Sequence, residues 1–148
     1  LNKSNDTNDK KIDLVALGNP HLSLNECKTI SELCNGYTAR QNVSIIATLG
    51  RDIYGQAKKK GYIKKMSRFG VKFISDTCWC MLTEPVVPIY GNTVLTNSAK
   101  YAHYGPALTG KNVRFHSLNG CINAAKTGYL PPLPKWIQRN IPTMIRRF

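Results

Sequence analysis

Acidic side chains are scarce in this sequence. Only 8 Asp and Glu stand against 21 Lys and Arg, giving a formal net charge of +13, and no acidic residue follows Glu84. Such an imbalance points outward, to an anionic substrate, an acidic partner surface or nucleic acid. No recognisable RNA- or DNA-binding motif accompanies the charge, so nucleic acid is not the expected partner. Eight of the basic residues fall within residues 51–72, where Asp52 is the single acid. A solvated helix face explains that cluster as well as an acidic subunit does.

No apolar run approaches the roughly 20 residues that cross a bilayer, which excludes a membrane partner of the spanning kind. The first ten residues, "LNKSNDTNDK", are polar and do not read as a secretory leader. The chain also opens on Leu1 rather than methionine, and is expected to be a fragment or a processed chain. The five cysteines show no spacing that suggests a disulfide framework. The expectation is a reducing, cytoplasmic setting.

What is present is an alternation. "IDLVALG" (12–18), "NVSIIATL" (42–49), "VKFIS" (71–75), a short "VLT" (94–96) and "NVRFHS" (112–117) read as strands. Between them lie an amphipathic helix over 23–34 and a basic helical stretch over 51–70 that Gly61 interrupts. Two more helices follow, over 98–108 and 117–128. Ser23 followed by Glu26 is a capping box, and Gly36 supplies the stop. Strands alternating with helices predict an α/β domain with a mainly parallel sheet over residues 12–130. A polar segment, 1–11, precedes it, and a basic, proline-broken tail, 131–148, follows.

In such sheets ligands collect where strands end and helices begin, because helix N-termini offer free amide donors. The unusual motifs sit at four such junctions: Gly18-Asn19-Pro20-His21, Asp76-Thr77-Cys78, Thr96-Asn97-Ser98 and Ser117 to Cys121. Among the cysteines, Cys27 and Cys34 share an apolar helix face with Leu24 and Ile30 and read as core filler. Cys78 ends a strand, in "DTCWC" (76–80). Cys121 lies in the first turn of a capped helix, where the dipole favours thiolate. By spacing alone, Cys-x-Cys leaves three readings open: metal site, redox pair or inert thiols.

The segments "IDLVALGNPHLSLNE", "SDTC", "TNSAKYAHYGP" and "SLNGCINAA", in this order and at these intervals, resemble the aconitase X family over nearly all of residues 12–128. The likeness is to the C-terminal part of the large, catalytic subunit. It implies an aconitase-like domain of an iron–sulfur hydro-lyase that removes water from a β-hydroxy acid. The first reading is phosphomevalonate dehydratase, giving trans-anhydromevalonate phosphate. The alternatives are cis-3-hydroxy-L-proline dehydratase and a basic binding module that kept the fold without catalysis. The resemblance implies as partners the remainder of the large subunit, a separate small subunit and a small anionic substrate.

Carried onto this sequence, the family pattern makes Cys78 and Cys121 cluster ligands, with a [4Fe-4S] cluster as first reading and [2Fe-2S] as second. Many relatives carry a further cysteine within Gly-x-Pro-His, where this chain has Asn19. The third ligand is then Cys80, a residue outside this chain, or absent, and the departure leans away from the hydroxyproline branch. Ser98 is the candidate base; Lys100 and His103 would hold the carboxylate or developing charge. Asn19, His21 and Asn97 would contact substrate, and Arg51, in "TLGR" (48–51), matches the family only loosely. For Asn97 and Ser98 a helix-capping role, and for His21 and His103 ordinary structural hydrogen bonding, explain the residues equally well.

Overall fold

The computed structural model describes residues 11–18, 21–76, 93–99, 101–103 and 112–132. Five strands form one sheet: β1 (Leu14–Leu17), β2 (Ser44–Leu49), β3 (Val71–Ser75), β4 (Thr93–Thr96) and β5 (Asn112–Phe115). Every pairing is parallel and the order is β3-β2-β1-β4-β5. Among the described residues the helices are α1 (Leu24–Cys34), α2 (Arg51–Lys59), α3 (Tyr62–Phe69) and α4 (Leu118–Thr127). A further helical turn begins after Ser98, whose carbonyl accepts from the Ala102 amide.

Why these residues form these elements is visible locally. The Ser23 hydroxyl accepts from the Glu26 amide at 3.1 Å while the Glu26 carboxylate accepts from the Ser23 amide at 3.2 Å, so α1 starts with a complete capping box. Ser23→Ala is expected to cost about 1 kcal/mol, read as a lowered midpoint in denaturant. The basic stretch does break at Gly61, in the left-handed region, which divides α2 from α3. Ser117 caps α4 by accepting from the Gly120 amide.

The alternation of side chains along the strands fills two layers. Val15, Leu17, Ile45, Ala47, Leu49 and Leu95 face one cluster together with Cys27, Ile30, Met66, Phe69, Cys121 and Ile122 from the helices. Leu14, Ala16, Ile46, Val94 and Val113 face the other way, and Tyr101 covers them. Both faces are therefore apolar, which is why the strands read as continuous hydrophobic runs rather than alternating ones. Successive crossovers β1–β2–β3 run in one direction and β4–β5 in the other. The direction reverses between β1 and β4, and that is where an open parallel sheet offers a crevice at its carboxyl edge.

Lys11, the first described residue, bridges to Tyr129, and the Ile12 amide donates to the Gly128 carbonyl at 2.9 Å. The tail beyond Pro132 lies outside the described residues.

Candidate active site

All strands run the same way, so every junction singled out in the sequence falls on one edge of the sheet, the carboxyl edge. The turn after β1 is laced to β2. The Thr48 hydroxyl donates to the Gly18 carbonyl, and the Leu22 amide donates to the Thr48 carbonyl at 2.9 Å. Gly18 has φ +78°, and a Cβ there would stand 2.5 Å from the Thr48 carbonyl oxygen. Only glycine lets the chain turn this tightly at the switch point. His21, just beyond, is exposed; Asn19 lies outside the described residues.

After β2 and β3 the edge carries an ion pair. The Asp76 carboxylate accepts from the Arg51 side-chain Nε and, at 3.1 Å, from the Arg51 backbone amide. Asp76 has φ +60°, a left-handed conformation that aspartate tolerates better than most residues. The pair is well exposed, so it adds little to stability. Its consequence is orientation: it fixes the guanidinium at the mouth of the edge.

After β4, Ser98 does what an N-cap does. Its hydroxyl accepts from the Tyr101 amide at 3.2 Å and its amide donates to the Thr96 hydroxyl at 3.1 Å. Beside it Asn97 is half-buried, with Oδ1 buried and unpartnered among the described residues. His103 is exposed, and Lys100 lies outside the described residues.

After β5 comes a residue that sequence reasoning missed. His116 is 6% exposed. Its Nδ1 accepts from the Ser117 amide at 2.8 Å, and its Nε2 has no partner among the described residues. Burial holds its imidazole below the usual pKa, so the ring is neutral near neutral pH. The only sequence signal was the histidine's place at a strand end in "FHSLNG".

Cys121 is fully buried within the larger core cluster, with its thiol toward the His116 carbonyl at 3.9 Å. Burial pushes this thiol up to about 12. The helix-end bias toward thiolate, under one pKa unit, is outweighed by desolvation. Nor does the helix position set Cys121 apart. Cys27 occupies the corresponding place in α1, its amide donating to the Ser23 carbonyl as that of Cys121 does to Ser117. It too is buried, with its thiol raised to about 11 by burial and by Glu26. Cys34, raised to about 12 by burial, is the third buried thiol among the described residues. Cys78 and Cys80 lie outside the described residues.

Strand order matters here as well. β3 and β5 are the two flanks of the sheet, four strand spacings or about 19 Å apart. The junctions that carry Cys78 and Cys121 thus start from opposite flanks, and α4 packs inward against α1. No group of three metal-ligating side chains occurs among the described residues. By themselves these residues do not make a cluster cradle.

Two concavities among the described residues, of about 330 and 270 Å³, lie at the opposite, amino edge around Tyr37, Lys65, Arg68 and Arg40. They are remote from all four junctions.

The family model for the third domain of aconitase X matches residues 12–127. The chain belongs to the aconitase X family. It is 46% identical over 143 residues to the cis-3-hydroxy-L-proline dehydratase of Hypocrea jecorina, covering 96% of this chain and 24% of that protein. It is 34% identical over 113 residues to the phosphomevalonate dehydratase large subunit of Methanocaldococcus jannaschii, covering 76% of this chain and 27% of that one. The crystal structure of Thermococcus kodakaraensis aconitase X in its holo form superposes with a TM-score of 0.65 at 31% identity, over 78% of this chain and 29% of that one.

The chain thus spans about a quarter of the length of these relatives. The α/β parallel architecture agrees with that of the solved relative. Membership suggests an iron–sulfur cluster, of a type the described residues do not specify. No described helix is long and apolar enough to cross a membrane.

Proposed function

We propose that this chain forms part of the catalytic subunit of a hydro-lyase that removes water from a small β-hydroxy acid. One observation carries the reading: the strand ends that lead into the chemistry-bearing junctions share the carboxyl edge of one parallel sheet, in a chain whose residues 12–127 match an aconitase X domain. In the reaction a base takes the proton from the carbon next to the carboxylate, a C=C bond forms, and the neighbouring C–O bond breaks to release water. Ser98 is the proposed base. Capping and catalysis are compatible there, because the Tyr101 amide and the helix end both stabilise negative charge on the hydroxyl oxygen. Lys100 and His103 are proposed to hold the carboxylate, with Arg51, Asn19, His21 and Asn97 as further substrate contacts.

The family pattern, not the described geometry, makes Cys78 and Cys121 the proposed ligands of an iron–sulfur cluster; its cradle would need further residues from the rest of the protein, and it would supply Lewis acidity toward the leaving hydroxyl. A small subunit is the proposed partner, by analogy with the large-subunit relatives. The setting is proposed to be cytoplasmic.

For the substrate, the 46% relative favours cis-3-hydroxy-L-proline. That reverses the order in which the sequence reading placed the two acids. Phosphomevalonate remains the second reading, favoured by Asn19 in place of a cysteine and by the 34% relative. The test uses the complete protein containing this chain, purified without oxygen, with its partner subunit if it has one. It is offered each acid in turn, and loss of the hydroxyl is followed by mass spectrometry. Elimination from one of them is expected, and none from the 148-residue chain alone. Turnover by the isolated chain, or none by the complete protein with either acid, overturns the reading. The second outcome leaves the binding-module alternative.

A further inference from the structure

Two buried polar atoms at the carboxyl edge lack partners among the described residues, and they are complementary. Asn97 Oδ1 is an acceptor. His116 Nε2 is a donor, because Nδ1 spends its lone pair on the Ser117 amide, which places the ring proton on Nε2. The two residues are neighbours across the sheet edge. Thr96 pairs with Phe115 in the β4–β5 register, and the His116 amide donates to the Thr96 carbonyl at 3.0 Å. Residues 97 and 116 are therefore the next step of the same ladder.

The imidazole is held in place. Nδ1 also lies 3.2 Å from the Ser117 hydroxyl, and the ring fills the space a side chain at Gly120 would need. A Cβ there would meet Nδ1 at 1.9 Å and Cε1 at 2.3 Å. Native proteins seldom leave buried polar atoms unpaired, and a held donor on one strand end with an unpaired acceptor on the next calls for a group that pairs both. Arg114 Nε is a third unpartnered atom, two residues earlier on the strand.

A hydroxyl can accept from an imidazole N–H and donate to an amide oxygen, as a water also can, whereas a carboxylate can only accept. We propose that His116 Nε2 and Asn97 Oδ1 together hold the alcohol hydroxyl of the substrate, which makes His116 a specificity-determining residue. This rests on the dehydratase reading, since it takes the substrate to be a β-hydroxy acid. A site built to pair a hydroxyl discriminates strongly against the analogue lacking it.

The test compares the substrate with its deoxy form in the complete holoenzyme: cis-3-hydroxy-L-proline against L-proline, or phosphomevalonate against its 3-deoxy form. Binding of the hydroxy acid is read from KM, with kcat followed separately, and binding of the deoxy acid from its inhibition constant. His116→Ala should lower the preference for the hydroxyl about 10-fold while leaving the deoxy acid within about twofold. His116→Gln, whose amide can donate from near the Nε2 position, should recover much of the preference. Asn97→Leu gives the same ratio from the acceptor side, and serves if His116→Ala does not fold. Equal weakening of both acids, an unchanged ratio, or a Gln variant no better than Ala overturns the inference; such results fit a structural histidine or a buried water. If the enzyme turns over neither acid, the dehydratase reading fails on its own. Calorimetric titration of cis-3-hydroxy-L-proline and L-proline into the same variants then decides the hydroxyl site separately.

Discussion

Gly120→Ala is expected to destabilise the protein by about 1–3 kcal/mol, although the same change within a helix ordinarily stabilises by roughly 0.5–1 kcal/mol. The sign is the informative part. Gly120 lies in the first turn of α4, where alanine is the better helix former. Against that gain stands the His116 ring, 1.9 Å from where the Cβ would be. The ring is almost wholly buried and bonded to the Ser117 amide, so it has no cheap way to give. Overpacking of this kind costs more than propensity returns. A denaturant midpoint of the complete protein that falls with Gly120→Ala, and recovers in part when His116→Ala is added, assigns the cost to the ring. A midpoint that rises means the ring moves freely, and the cradle described here is not rigid.

Much of this fold was legible in the sequence, for local reasons. The capping box at Ser23 and Glu26, the break at Gly61 and the cap at Ser117 are side-chain-to-backbone events within four residues, and each appears where the sequence put it. β3 matches its expected span, Val71–Ser75. β1 is shorter than the apolar run that announced it, because Ile12 and Asp13 already belong to other contacts: the Ile12 amide to Gly128 and the Asp13 carboxylate to the Thr93 amide.

What the sequence could not display is whatever depends on strand order. That β3 and β5 are opposite flanks, that Thr48 ties down the turn at Gly18, and that Asp76 orients Arg51 are consequences of pairing between distant segments, from Arg51 with Asp76 to Leu14 with Val94. His116 was missed for the same reason, since its role exists only beside Thr96 and Gly120. The cysteines show the limit most sharply. Helix position does not set Cys121 apart from Cys27: both occupy the same place in a capped helix and both are buried. Motif resemblance, not electrostatics, distinguishes them.

That equivalence makes Cys27 the matched control for the remaining prediction. Raising the Cys121 thiol from 9.0 to about 12 amounts to about 4 kcal/mol against the thiolate, several times what a helix end returns. Direct bonding to a metal is one way to offset a cost of that size. Cys27 bears a similar cost with no such bond proposed. The decisive measurement is iron per protein in the complete enzyme, prepared without oxygen, for Cys121→Ala, Cys78→Ala and Cys27→Ala. The expected result is loss of iron and of its visible absorption in the first two, together with water elimination, and near-normal iron in Cys27→Ala. Wild-type iron content in Cys121→Ala would contradict the account, because the cluster would then be held by residues other than those at this sheet edge.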